Sequence, residues 1–354
     1  MNVTLKEIAK EAGVSVSTVS RVINKKGPHV ARPELQNRIW EIVSRTGYVP
    51  NENALNLKKS SKGGTLEGQQ SIACLFARTP ESINDPFFSQ LARSVEAAAF
   101  KEGYHVQYSL TEVDVKQPNM LRNLIDQHIR GVVILGRCDH ELLHYLKQCF
   151  RFVSYTGLNP PEAQYDQIIC DGREVSKAAV DYLIALGHTN IAYIGETSNE
   201  NRFDGYLQSL QEHGIAFRER YVADVPLSSE NGYRGARELL ERAEGVTAVL
   251  CANDLTAIGA MRAMREMGVR TPQDISIMGI DDIDMAQYMS TKLTSVHIPV
   301  EEMGQMATKI LLDRINGGHT IHMKISMPFY IAERESCAKP PRTPWRFNRE
   351  NEGK

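Results

Sequence analysis

At 354 residues the chain exceeds one small domain and suits a head joined to a body of one or two lobes. With 42% hydrophobic and 24% charged residues it has the balance of a soluble globular protein, and no apolar run approaches the ~18 residues of a membrane helix. The net charge of −2 conceals an asymmetry: residues 1–62 carry 11 Lys+Arg against 5 Asp+Glu, whereas the rest carries 30 against 38. A basic segment on an acidic body is the footprint of a nucleic-acid-binding module joined to a part that should not bind nucleic acid.

The first predicted helix has Leu5, Ile8, Ala9 and Ala12 on one face, at i, i+3, i+4 and i+7. Gly13 ends it, and Ser15 stands where an N-cap belongs before a second helix whose Val19, Val22 and Ile23 turn inward. Val16, Ser17, Ser20, Arg21 and Asn24 are left facing outward, short or polar groups suited to base edges. The small Ala9 and Gly13 and the inward Val19 allow two helices to cross closely and steeply, as in a helix-turn-helix. A third helix is expected at about 33–46, opened by Pro33 and closed by Gly47. Tyr48-Val49-Pro50-Asn51 then turns the chain, and Asn51 caps a short helix at 52–58. Residues 59–70, rich in Lys, Ser, Gly and Gln, read as a linker.

From residue 71 the pattern becomes short apolar runs alternating with amphipathic helices. Strands are expected at 72–77, 104–110, 131–136, 152–155, 191–195, 248–251 and 275–280, with helices at 87–102, 175–186, 232–243 and 255–267 among those between them. Such runs argue an α/β body of parallel sheets covered on both faces, and their number argues two lobes. No Gly-x-Gly-x-x-Gly follows the first strand and no P-loop occurs, so no nucleotide cofactor is expected. The six cysteines, Cys74, Cys138, Cys149, Cys170, Cys251 and Cys337, form no C-x-x-C pair and no zinc spacing, and so read as reduced thiols with no metal. Lys6, Glu7, Lys10 and Glu11 interrupt the N-terminus before an apolar leader forms, which points to a cytoplasmic protein. Residues 338–354, rich in Pro, Arg and Asn, read as a flexible tail without the leucine heptads of a tetramerisation helix.

Taken together, these motifs resemble the LacI/GalR (lactose-repressor/galactose-repressor) family of bacterial transcription regulators. The most specific are the run from Val3-Thr4-Leu5 to Val22-Ile23-Asn24, then Gly47-Tyr48-Val49-Pro50-Asn51, Ala185-Leu186-Gly187-His188, Ala252-Asn253-Asp254 and Gly279-Ile280-Asp281-Asp282. The resemblance implies a helix-turn-helix head with hinge helix at 1–58, the linker at 59–70, an effector-binding and dimerisation domain at 71–337, and the tail at 338–354. Lobe 1 is placed at about 71–158 and 291–320, and lobe 2 at about 159–290 and 321–337, in a periplasmic-binding-protein-like body. It further implies a homodimer on a pseudo-palindromic DNA operator, with the second helix of each head in the major groove.

In that family the two positions opening the recognition helix select bases, here Val16 and Ser17, and Arg21 matches a base-contacting arginine. Thr4, Thr18 and Asn24 fit phosphate or turn-stabilising roles beside Ser15 and Ser20. Tyr48, Asn51, Ala54 and Leu57 belong to the turn and hinge, where Leu57 matches a leucine that wedges into the minor groove. The sequence Ala54-Leu55-Asn56-Leu57 departs from the family's usual alanine-arginine pair.

Arg202, Asn253 and Asp281 match family effector ligands. Their chemistry suits a polyol, since Arg donates, Asp accepts and Asn does both. Phe87 and Phe88 are candidates to stack on a sugar's apolar face, with lobe core as the competing reading; Asp254 and Asp282 read as caps or loop-fixing groups. Leu227 and Val300 supply apolar walls. The implied function is a repressor of carbohydrate-utilisation genes, released by a small sugar. The alternative is a regulator whose DNA binding is tightened by a purine-like corepressor or a phosphoprotein partner. An enzyme is not expected: no nucleophile elbow, metal spacing or phosphate loop is present, and Gly187-His188 reads as a turn rather than as half of a catalytic pair with Asp171.

Overall fold

The computed structural model describes residues 4–24, 32–46, 70–77, 85–111, 129–138, 142–143, 146, 150–161 and 164–345. The chain divides into two compact units, Met1–Ile168 with Glu301–Ile325 and Ile169–Val300 with Ser326–Lys354.

The first unit begins with three helices, α1 (Leu5–Ala12), α2 (Val16–Asn24) and α3 (Pro33–Thr46). A capping box starts α1. The Glu7 amide donates to Thr4 Oγ1, and the Thr4 amide donates to a Glu7 carboxylate oxygen at 2.7 Å. Gly13 closes α1 in the left-handed region at φ 70°, and its amide reaches the Ala9 carbonyl. Ser15 Oγ accepts from the Thr18 amide at 3.1 Å and so starts α2 as an N-cap. These helices enclose their own core of Ile8, Ala9, Ala12, Val19, Val22, Ile23, Ile39, Trp40, Ile42 and Val43. The inward positions read from the period of the first two helices pack here, with Leu5 only partly buried, and Trp40 of α3 joins them.

The same unit contains a sheet of β1 (Gln70–Phe76), β2 (Tyr104–Thr111), β3 (Ile129–Leu135), β4 (Val153–Gly157), β5 (Asp166–Ile169) and β11 (Lys324–Ser326). Its order is β2-β1-β3-β4-β5-β11. Helix α4 (Pro86–Lys101) follows β1, capped by Asp85, whose carboxylate accepts from the Phe87 amide at 3.0 Å. Helix α9 (Val300–Ile315) precedes β11.

The second unit repeats the plan. Its strands are β6 (Ile191–Gly195), β7 (Val222–Asp224), β8 (Ala248–Cys251), β9 (Ser276–Asp281), β10 (Thr294–His297) and β12 (Tyr330–Ala332), in the order β7-β6-β8-β9-β10-β12. Only β12 is antiparallel among its recorded pairings. Helices α5 (Gly172–Ala185), α6 (Asn201–Glu212), α7 (Ser229–Arg242) and α8 (Asp254–Glu266) cover it. Gly259 of α8 lies so close to α7 that a Cβ there would meet the Ser229 carbonyl at 1.8 Å, which fixes these helices backbone to backbone. The apolar faces of α7 and α8 meet Ala192, Ile194, Val249, Cys251 and Ile277 in one core.

Two expectations change. The boundaries read from the sequence put 159–168 and 321–325 in lobe 2 and 291–300 in lobe 1. The strands pair otherwise: β5 and most of β11 belong to the first unit, and β10 joins β9 of the second. These segments are short and partly polar, as in Asp166-Gln167-Ile168-Ile169, and lack the continuous apolar run that marks a central strand. The tail also does not begin at 338. The Ala338 carbonyl accepts from His188 Nε2 at 2.8 Å, its amide donates to Ser276 Oγ at 3.0 Å, and Trp345 packs on the core of the second unit. Buried polar partners on the strand edge hold this segment, although its own composition carries no apolar period.

Candidate functional site

On the head, Val16, Ser17 and Arg21 share the exposed side of α2, and Val16 keeps 43% of its surface open. Arg21 Nε donates to the Ser17 carbonyl at 3.2 Å, so the guanidinium is steadied against its own helix with its terminal nitrogens left over. Ser15 Oγ lies 2.8 Å from both Ser17 Oγ and Thr18 Oγ1. Ser15 and Thr18 thus stabilise the turn, and Thr4 is held in its capping box with its oxygen 2.9 Å from Glu7. Ser20 is half-buried and Asn24 is the last residue of α2. Tyr48, Asn51, Ala54 and Leu57 lie outside the described residues. The exposed side of α2 therefore carries short and polar side chains, the kind that fit base edges in a major groove.

The second unit gathers the other residues. Its strand order reverses between β6 and β8, and ligands of open parallel sheets bind outside the carboxyl ends of strands at such a switch point. Arg202 follows β6, Asn253 follows β8, and Asp281 ends β9.

Arg202 is 5% exposed, and its partner is a residue not singled out in the sequence. Glu200 receives Arg202 Nε at 2.7 Å on one carboxylate oxygen and Nη2 at 2.8 Å on the other. Its carboxylate also accepts from the Arg202 amide at 3.2 Å and caps α6. Arg202 Nη1 donates to the Ala252 carbonyl at 2.8 Å. Of the five guanidinium N–H groups three are thereby committed, leaving two for a ligand. Burial works against the cation, but the charge and hydrogen bonds of Glu200, aided by Asp281, outweigh it and hold the guanidinium above its ordinary value. Asp281 stands at the end of β9, the strand paired with β8.

Asp281 adopts φ 117° and Asp282 φ 58°, a strained corner for non-glycine residues. The corner is pinned from several sides. Asp282 accepts from Arg334 Nη2 at 2.5 Å and lies 2.9 Å from His297 Nδ1, while its amide donates to Ser295 Oγ. Asp254 accepts from Ser295 Oγ at 2.6 Å and from the Ile283 amide at 2.9 Å, and burial pushes its carboxyl up to about 7 despite those bonds. Both aspartates fix the loop, as their sequence reading has it. Asn253 is buried and caps α8 through the Thr256 amide at 2.9 Å, a task occupying its carbonyl oxygen. Leu227 lies beside Gly195 at the end of β6.

Phe87 and Phe88 sit in the first unit, both buried, with their rings edge to face at 5.1 Å. The Phe88 ring covers Gly136 at the carboxyl end of β3, so close that a Cβ there would clash at 2.6 Å. Val300 is buried at the start of α9. His188 is buried between Thr247 Oγ1 and the Ala338 carbonyl, a structural position. Among the described residues no group of His, Cys, Asp and Glu is arranged to hold a metal ion, and no helix is long and apolar enough to cross a membrane.

Residues 4–51 match the family described as bacterial regulatory proteins, lacI family, and residues 180–337 match the periplasmic binding protein-like domain. The HTH-type transcriptional repressor PurR of Photorhabdus laumondii is 31% identical over 346 residues, covering 96% of this chain and 98% of the relative. The chain belongs to the lacI family. It is accordingly a DNA-binding transcriptional regulator. The HTH-type transcriptional repressor MelR of Bacillus subtilis is 28% identical, covering 95% of this chain and 97% of its own length. Among solved structures, the transcriptional regulator CelR–cellobiose complex aligns with a TM-score of 0.70 at 28% identity, over 95% of this chain and all of that one.

Proposed function

We propose that this lacI-family member is a repressor released from its operator when a small hydroxylated ligand, a sugar, binds against Arg202, Asn253 and Asp281. The observation that carries the reading is the buried Arg202, oriented by Glu200 and Ala252 beside Asp281, at the switch point of a parallel sheet. Two unspent guanidinium donors and a carboxylate acceptor form the polar array that recognises vicinal hydroxyls. Solved relatives bound to cellobiose and to ribose support a carbohydrate. Val16, Ser17 and Arg21 read the operator, and the ligand acts by binding the two conformational states of the regulator unequally.

The working assembly in this proposal is a homodimer. The second unit exposes Met285 and Tyr288, the latter 80% open, and has a groove of ≈ 520 Å³ where Ile258, Met261 and Met289 mix with Arg262, Arg265 and Arg270. Exposed apolar side chains among charged ones are the composition of an interface between copies of one chain. The resemblance to repressors named PurR supports a second reading, in which a purine-like ligand tightens operator binding. Titrating operator DNA with and without sugars and purines separates the two by sign. Loss of affinity with a sugar supports release, gain with a purine supports corepression, and no change with any compound contradicts both.

A further inference from the structure

We propose that Glu200 determines the charge class of the ligand, making the site select uncharged polyols and reject phosphate esters. The proposal rests on the ligand site described above. Arginine recognises phosphate through a bidentate fork of parallel N–H groups. In this protein the Nε/Nη2 fork of Arg202 is already filled by the Glu200 carboxylate, at 2.7 and 2.8 Å, and the Glu200 side chain is wholly buried.

A phosphate monoester has two ways to approach, and both are unfavourable. Entering the fork displaces Glu200 and leaves a buried carboxylate without its cation. Approaching the two remaining N–H groups places the phosphate beside Glu200 and Asp281, whose combined charge exceeds that of Arg202. A hydroxyl group needs only those two donors and brings no charge, so it meets neither penalty. Glu200 has a second duty as the cap of α6, which explains its placement two residues before Arg202.

The test uses purified full-length protein, with inorganic phosphate, ribose 5-phosphate, glucose 6-phosphate, ribose, glucose and cellobiose as probes. Binding is read by calorimetry and thermal shift. Two variants are compared with the parent: Glu200→Gln, which removes the charge, and Glu200→Ser, which also removes the charge but keeps a strong capping side chain should the first fail to fold. The expected result is no saturable phosphate binding by the parent and a gain in either folded variant of about a hundredfold, the scale of relieving a buried unpaired charge. Uncharged sugars should gain nothing in either variant, because a neutral hydroxyl meets no penalty that the substitution relieves. Phosphate or an ester binding the parent at Arg202 as tightly as an uncharged sugar would overturn the charge assignment while leaving the site in place. Failure of a folded variant to gain phosphate binding would also overturn it. Sugar binding that survives Arg202→Ala would instead remove the site reading itself.

Discussion

Arg202 Nη1 donates to the Ala252 carbonyl at 2.8 Å, so the arginine that follows β6 is tied to the end of β8, one residue before Asn253. With Glu200 on its other edge, the guanidinium has one orientation and is both a structural and a recognition element. Arg202→Ala should therefore cost stability as well as ligand response. Removing the cation strands the buried Glu200 carboxylate, a loss of about 3–5 kcal/mol by urea denaturation. The double variant Glu200→Ala with Arg202→Ala should lose clearly less than the sum of the two single changes. Additive losses would show that the pair does not act as a unit.

Asp281 offers a cleaner separation of binding from folding. Asparagine tolerates positive φ and keeps an acceptor, so Asp281→Asn should fold normally at the φ 117° corner. Operator affinity without ligand should match the parent, and the response to ligand should vanish. A folded variant that had lost operator binding would assign Asp281 to the structural coupling rather than to the ligand.

For the head, Arg21→Ala should weaken operator binding by about 1–3 kcal/mol while binding to random duplex falls far less, because a bidentate guanine contact discriminates whereas a phosphate contact does not. Competition between operator and random DNA at fixed salt measures the difference. Equal losses on both would place Arg21 on the phosphates.

Within the first unit, Asp166 is wholly buried and accepts from both Arg314 Nε and Nη2, from the Met323 amide at 2.9 Å and from His319 Nε2. Burial raises its carboxyl, but Arg314, Met323 and His319 outweigh that and hold it below the ordinary range. The site joins the start of β5 to α9 and β11. Arg314→Ala should destabilise by about 3–5 kcal/mol in chemical denaturation, the cost of an orphaned buried carboxylate. A change under 1 kcal/mol, the scale of an exposed pair, would mean that the Met323 amide and His319 suffice without the arginine.

His188 gives the second unit a pH dependence of known sign. Burial holds it below its ordinary 6.5, against the hydrogen bond to Ala338. Below about pH 6.5 the unfolded chain then binds more protons than the folded one, so stability is full above that pH and falls as the pH is lowered. His188→Gln should flatten this acid-side slope in denaturant midpoints measured from pH 7 to pH 5. An unchanged slope would assign the effect to another group.

Much of this was legible in the sequence because the periodic features are strong. The inward set of α1 and α2, the Gly13 corner and the central strands β6 and β8 all follow from spacing, whereas Trp40 joins the core of the head without having been read as inward. What escaped was non-periodic or non-local. The strands β5, β7, β10, β11 and β12 are only three or four residues long, with little apolar alternation to announce them. Glu200 gave a faint signal, an acid at a helix start, but its grip on Arg202 depends on a rotamer and on burial. The Ala252 carbonyl gave none, since backbone acceptors are invisible in side-chain identity. The anchoring of Ala338 likewise depends on His188 and Ser276, far away in the chain.

In the proposed switch a ligand at Arg202 and Asp281 controls what α2 does on DNA. Its most direct test is fluorescence anisotropy on an operator selected from a random duplex pool, titrated with the parent protein and with Asp281→Asn across a panel of uncharged sugars. At least one sugar should lower operator affinity of the parent by about tenfold or more and leave the variant unmoved. Operator affinity that no sugar changes, or a sugar response that persists in Asp281→Asn, would contradict it.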